Sequence, residues 1–294
     1  MVRLLVVSSN RLEPNKTNLM TRLLPILFIL FHCMVYSQQW ETTNGPNTRP
    51  KCDGLISFES QILGGAYCTS FSLKSGNSTW TSTGLDGFKF ATIYNDHVYM
   101  QDYYGGLDKL TYNDGVWGKE HQYFNNLLDL HSDDDGIYAV IGDFTGLKFS
   151  ENGSVWNEIN EGLPAELVTI LLDIEDPGSE AIVPYYRIYS IHSNANYLYV
   201  GTDSGAYYTS KDIISWEPIS TGLPIDTISH IHAIRDTLIA STTNQIFKSY
   251  DNGLNWSLSH TLILDNDVSK IKVFNDSIFI LTQTEGLLLS TDYG

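Results

Sequence analysis

The stretch from Ile228 to Ser259, ISHIHAIRDTLIASTTNQIFKSYDNGLNWSLS, decides the fold. It holds four short runs of strand-forming residues, Ile228 to Ile234, Thr237 to Ser241, Gln245 to Ser249 and Asn255 to Ser259. Turn-formers separate them at Arg235-Asp236, Thr242 to Asn244 and Asp251-Asn252-Gly253. The same order recurs from Tyr189 to Trp216, from Leu127 to Trp156 and from Phe90 to Trp117. All six tryptophans, Trp40, Trp80, Trp117, Trp156, Trp216 and Trp256, fall at one position of this unit, at spacings of 40, 37, 39, 60 and 40. A unit of about forty residues with four strands is the mark of a β-propeller blade. No segment has the period of a long amphipathic helix. The expected fold is therefore all-β, a propeller of four-stranded blades at about 54–87, 88–125, 126–164, 165–224, 225–264 and 265–294.

The first 37 residues are expected to be removed. Residues 1–19 read as an upstream leader or a misassigned start. Residues 20–37 read as a signal peptide, in which Arg22 precedes an apolar run from Leu23 to Tyr36 and Val35-Tyr36-Ser37 offers a cleavage site. The run is shorter than the roughly 20 residues that span a bilayer, so no transmembrane anchor is expected after cleavage. The destination is secreted, or periplasmic or cell surface. Maturation takes Lys plus Arg from 17 to 13 and Asp plus Glu from 34 to 33, which leaves a net charge of −20. Such a surface repels phosphate backbones, and no nucleic-acid partner is expected. Cys52 and Cys68 remain as an even pair in an exported chain. If bonded, they close a loop worth about 3 kcal/mol.

Within the unit, Ser249-Tyr250-Asp251-Asn252-Gly253-Leu254-Asn255-Trp256 matches the pattern Ser-x-Asp-x-Gly-x-x-Trp in full. Ser210-Lys211-Asp212 with Trp216, Ser150-Glu151-Asn152 with Trp156, and Thr111-Tyr112-Asn113 with Trp117 are one residue shorter, and Ser290-Thr291-Asp292-Tyr293-Gly294 begins a sixth copy. Here a carboxylate or amide bonds turn N–H groups, Gly takes a positive φ, and Trp packs beneath. The expected role is structural.

These residues resemble the Asp-box, or BNR-repeat, propellers, which include sialidases, sortilin-type receptors, photosystem assembly factor-like propellers and secreted propellers of Bacteroidetes. The resemblance covers roughly Gln38 to Gly294 and includes the phrase Val200-Gly201-Thr202-Asp203-Ser204-Gly205-Ala206-Tyr207-Tyr208-Thr209-Ser210. Enzymes and non-enzymes share the box, so it implies a fold and no activity. Gly294 falls where a sixth outer strand would begin, and Gln38 to Pro46 resembles Ser215 to Pro224. Residues 38–53 are therefore expected to supply a closing strand and linker, as propellers commonly do. The alternative is a chain that continues beyond Gly294.

Strand alternation places the outer-to-inner and second-to-third connections on one face and the boxes on the other. The first face carries an insertion of about 20 residues, Ala165 to Tyr186, read as a hairpin of Leu167 to Ile174 and Ala181 to Tyr185 turned by Asp176-Pro177-Gly178. Candidate binding residues on this rim are Asp102, Tyr103, Tyr104, Asp143, Phe144, Asp173, Glu175, Tyr185 and Tyr186. His131, His192 and His232 each stand six residues before the first apolar residue of the next strand, in one register facing the channel. Three imidazoles there suit a metal or an anion, or simple packing between blades. Asp133-Asp134-Asp135-Gly136 lacks the spacing of an EF-hand and reads as a solvated turn.

Two functions follow. The first is a non-enzymatic, monomeric propeller, without cofactor or metal, that binds a protein or glycan through the loop face. The alternative is a glycoside hydrolase of sialidase-like or Asp-box glucanase type. The sialidase chemistry implied by the resemblance needs three convergent arginines. The mature chain has only Arg49, Arg187 and Arg235, and Tyr189 breaks the Phe-Arg-Ile-Pro pattern after Arg187-Ile188.

Overall fold

The computed structural model describes residues 52–290 apart from 67–68, 75–79, 103, 123, 125, 143, 172–178, 220, 263–267, 275–276 and 283–285. The leader, the signal peptide, the segment around Trp40, Cys68, Asp292 and Gly294 lie outside the described residues, as does the side chain of Cys52.

The protein is a six-bladed β-propeller, as the repeat requires. Blade one is β1 (Cys52–Phe58), β2 (Gln61–Ala66), β3 (Thr69–Lys74) and β4 (Thr81–Ser82). Blade two is β5 (Ala91–Tyr94), β6 (His97–Gln101), β7 (Leu107–Asn113) and β8 (Val116–Gln122). Blade three is β9 (Leu127–Ser132), β10 (Ile137–Ile141), β11 (Gly146–Ser150) and β12 (Asn157–Glu158). A separate hairpin follows, β13 (Glu166–Leu171) and β14 (Glu180–Tyr185). Blade four is β15 (Ile188–Ser193), β16 (Tyr197–Thr202), β17 (Gly205–Ser210) and β18 (Glu217–Ile219). Blade five is β19 (His230–Ile234), β20 (Thr237–Ser241), β21 (Gln245–Ser249) and β22 (Ser257–Thr261). Blade six shows β23 (Val268–Phe274), β24 (Ser277–Thr282) and β25 (Leu287–Ser290) among the described residues.

Every blade pairs its strands antiparallel in chain order. The first strands stand side by side, β1 by β5, β5 by β9, β9 by β15, β15 by β19 and β19 by β23. The core is accordingly not one mass. Five apolar clusters fill the five described blade junctions, for example Val140, Leu147, Ile188, Leu198 and Trp216 between blades three and four. Burying faces only against neighbours is what makes such a repeat depend on the whole ring.

The box turns differ in detail from their common sequence pattern. In blade five the Ser249 Oγ donates to Asp251 Oδ1 (2.8 Å) and accepts from Gly253 N (3.0 Å), Asn255 N donates to Asp251 Oδ1 (2.9 Å), and Trp256 Nε1 donates to Gly253 O (3.0 Å). Gly253 has φ 88°. In blade three Asn152 Oδ1 takes the carboxylate's place, accepting from Ser154 N and Val155 N at 2.9 Å. In blade four Thr209 Oγ1 bridges Ile213 O (3.1 Å) and Ser215 N (2.9 Å) beside Ser210. Blade two has a two-residue hairpin, because Asp114 (φ 49°) and Gly115 (φ 85°) form a type I′ turn between Asn113 and Val116.

Shortening the box redirects the tryptophan. Trp216 Nε1 donates to Ile159 O of blade three (2.6 Å), and Trp156 Nε1 donates to Gln122 Oε1 of blade two (2.6 Å). These two indoles latch one blade to the one before it.

Candidate functional site

The expected rim residues separate into supports and a surface. Asp102 is buried, and its Oδ1 accepts from Tyr104 N (2.8 Å) and Gly106 N (2.7 Å), so it closes its own turn. Tyr186 packs, half-buried, against the cluster between blades three and four. Tyr104 is 88% exposed at the same turn. Tyr103, Asp143, Asp173 and Glu175 lie outside the described residues.

The inserted hairpin meets the rim through aromatic contacts. The Phe144 and Tyr185 rings meet edge-on at 5.7 Å, and the Arg187 guanidinium lies 5.1 Å from the Tyr185 ring. Arg187 also pairs with Glu166 (3.0 Å) and Asp203 (3.5 Å), which ties the hairpin's first strand to blade four. In the hairpin, Leu167 pairs with Pro184 and Thr169 with Ile182. Strand alternation puts these four on one face. Leu167 is 72% and Ile182 70% exposed, whereas Val168, Ile170, Val183 and Tyr185 on the other face are half-buried. The hairpin thus offers an apolar face to solvent.

The arginines do not converge. Arg187 precedes β15 on the loop face, and Arg235, at φ 56°, follows β19 on the opposite face. Arg49 lies outside the described residues.

Asp102, Asp108 and His121 form a group that was not anticipated. Among the described residues they are the group of His, Cys, Asp or Glu side chains whose ligand atoms lie within 4.8 Å of one another. His121 Nδ1 is 2.9 Å from Asp108 Oδ1 and 3.2 Å from Asp102 Oδ2. Lys119 Nζ stands 3.3 Å from Asp108 Oδ2 and supplies positive charge where a cation would otherwise sit. Asp108 and His121 are cross-strand partners, each six residues from the Asp114-Gly115 turn. Recognising that turn as type I′ would have paired them from the sequence.

The three channel histidines pack ring against tilted ring, at interplanar angles of 35° and 46°. Ring centroids are 4.2 Å apart for His131 and His192 and 3.7 Å for His192 and His232. Ser193 Oγ donates to Asp133 Oδ2 (2.6 Å), so its 2.7 Å contact with His131 must be a bond donated by His131 Nε2–H. Burial pushes the His131 imidazole down to about 3, and those of His192 and His232 well below the ordinary value. The neighbouring rings and Lys272 add to the shift. These imidazoles are neutral at physiological pH. Asp133, expected to be a solvated turn residue, instead accepts from Ser193 and pairs with Lys211 (2.7 Å), which joins blades three and four.

No protein-family profile matches this chain, and no curated protein sequence matches it. Solved structures do. The extracellular domain of BT4673 from B. thetaiotaomicron aligns over 86% of this chain and 33% of its own, at 13% identity and a TM-score of 0.60. PorZ, a surface component of the type-IX secretion system of Porphyromonas gingivalis, aligns over 83% and 33%, at 10% identity and 0.54. The Neurospora crassa Pan2 WD40 domain aligns over 81% and 74%, at 8% identity and 0.55. This chain spans about a third of the length of the first two. At these identities the likeness is one of fold, and it places the chain among the β-propellers.

Proposed function

We propose that this protein is a non-enzymatic propeller of the Asp-box type that works outside the cytoplasm and binds a protein through the face carrying the 165–186 hairpin. The observation that carries this reading is the exposed apolar face of Leu167, Ile182 and Pro184, held beside the Phe144, Tyr185 and Arg187 cluster. Aliphatic side chains displayed on a braced strand pair suit a protein surface better than a glycan, which is bound mainly by aromatic stacking and hydrogen bonds. Tyr104 and Phe144 add the aromatic contacts common at such interfaces. The reading includes a signal peptide over 20–37, a closing strand and linker over residues 38–53, a Cys52–Cys68 bond and a monomeric state. The acidity of the chain supports the absence of nucleic acid from its partners.

Site-specific photo-crosslinkers at Leu167 and Ile182, used in the native host, are expected to trap one protein. Its purified form should bind the wild type at least tenfold more tightly than a Leu167→Asp/Ile182→Asp variant that melts normally. Equal binding by the variant refutes the docking face. Hydrolysis of a sialoside or glucan panel by the purified protein refutes the non-enzymatic reading.

A further inference from the structure

The first strands set equivalent residues side by side around the central channel. Opposite Leu63, Tyr99, Tyr138, Tyr199, Ile239 and Phe279 of the second strands stand Ile56, Thr92, His131, His192, His232 and Lys272. Two residues nearer the loop face stand Gly54, Phe90, Asp129, Ser190, His230 and Lys270. Lys89 lies just before Phe90 in the connection that enters blade two. The ammonium groups of Lys89 and Lys270 flank the Phe90 ring at 4.8 and 5.4 Å. Lys270 Nζ also reaches Lys89 O at 3.5 Å. All three lysines line one cavity of about 600 Å³, in a chain whose net charge is −17.

We propose that the loop-face end of this channel is a binding site for a small, multiply charged anion whose carboxylate or phosphate oxygens sit among Lys89, Lys270 and Lys272. The cavity has the volume of a small-molecule site. Asp129 is the one acid among its described lining residues, and its oxygens already accept from Ile191 N (3.1 Å) and Leu130 N (3.0 Å). It answers at most one of three positive charges. The four lining imidazoles add none, since burial pushes all four down, that of His230 to about 4. Like charges confined in a cavity repel one another. Burial, and then Lys272, lower the Lys270 pKa. Such an arrangement destabilises the empty ring and is relieved by a bound anion, the trade expected of a functional site. The site opens on the same face but uses none of Leu167, Ile182 and Pro184 of the hairpin, so its fate is separate from that of the protein-binding reading.

Calorimetric titration of the purified protein with citrate and with inorganic phosphate, against sodium chloride at equal ionic strength, tests the site. At least one of the two is expected to bind beyond the chloride background. Lys270→Met and Lys272→Gln should each weaken it tenfold or more, while the ligand-free variants melt no lower than wild type. Citrate alone binding identifies a carboxylate ligand, and phosphate alone a phosphoryl ligand. The proposal is overturned if neither anion outperforms chloride or if both variants keep wild-type affinity. Lys272 is exposed, so its variant tests the site even if the Lys270 variant folds poorly.

Discussion

Gly162 and Gly84 have nearly the same backbone and very different surroundings, which makes their alanine variants a direct test of how blades are joined. Gly162 has φ 90° and Gly84 has φ 76°, so an added Cβ costs each about 1 kcal/mol in the left-handed region. A Cβ on Gly84 meets nothing within 4 Å. On Gly162 it would overlap the Trp216 carbonyl oxygen and lie 2.9 Å from the Trp216 nitrogen. That backbone cannot retreat, because Trp216 N donates to Glu161 O (2.9 Å) and Trp216 Nε1 to Ile159 O (2.6 Å). Relief requires opening the latch. Leaving buried donors unpaired costs about 1–3 kcal/mol, and the overpacked contact costs a similar amount. Gly162→Ala should therefore lose about 3–7 kcal/mol against about 1 for Gly84→Ala. At roughly 2–4 °C per kcal/mol for a domain of this size, the melting temperatures should fall by about 15 °C and about 3 °C. Gly222 repeats the backbone approach against Trp256, whose nitrogen would lie 3.1 Å from the new Cβ, but without an indole latch, since Trp256 Nε1 donates to Gly253 O, so its variant should lose less than Gly162→Ala and more than Gly84→Ala. Differential scanning calorimetry on the three variants decides the matter. Equal shifts for Gly84→Ala and Gly162→Ala would refute the idea that close blade-to-blade backbone approach, and not φ alone, fixes these glycines.

Other consequences follow from the same geometry. Ser249→Ala removes the hydroxyl that ties Asp251 to Gly253 and should cost about 1–2 kcal/mol, read as a lower urea midpoint; an unchanged midpoint would mean the box turn closes without it. The channel imidazoles have folded pKa values below the ordinary 6.5, so the unfolded chain takes up their protons first. Stability is then full above about pH 6.5 and falls as pH drops towards 4, because the folded ring resists protons that the unfolded imidazoles accept. Asp129, raised by burial to about 6, opposes this with a single proton, so melting curves from pH 7 to 4.5 should show a net loss that His192→Gln reduces. Removing residues 38–50 from a protein that starts at Gln38 should lower the melting temperature by about 4–8 °C, since β25 displays Leu287 and Leu289 on an edge that an N-terminal strand would cover. No loss would exclude closure from that segment.

The amino-acid sequence by itself determined the architecture. The tryptophan period gave the blades, and Thr237–Ser241 and Gln245–Ser249 have the bounds expected of them, because strand alternation and turn chemistry are local and survive without knowledge of neighbours. The inserted hairpin was legible for the same reason, with β14 ending at Tyr185. Tertiary structure decided the rest. Asp102 was expected on a binding rim and closes a turn beside Asp108 and His121, an arrangement set by cross-strand pairing rather than by sequence distance. Trp216 and Trp156 were expected beneath their own turns and bond to the preceding blade. His131, His192 and His232 could be placed in one register, but the distance between their rings, and the arrival of Lys270 and Lys272 in the adjoining positions, depend on the rotation between blades. A repeat encodes the blade in its own residues, whereas the angle between blades comes from apolar packing summed over every junction, and no single unit contains it.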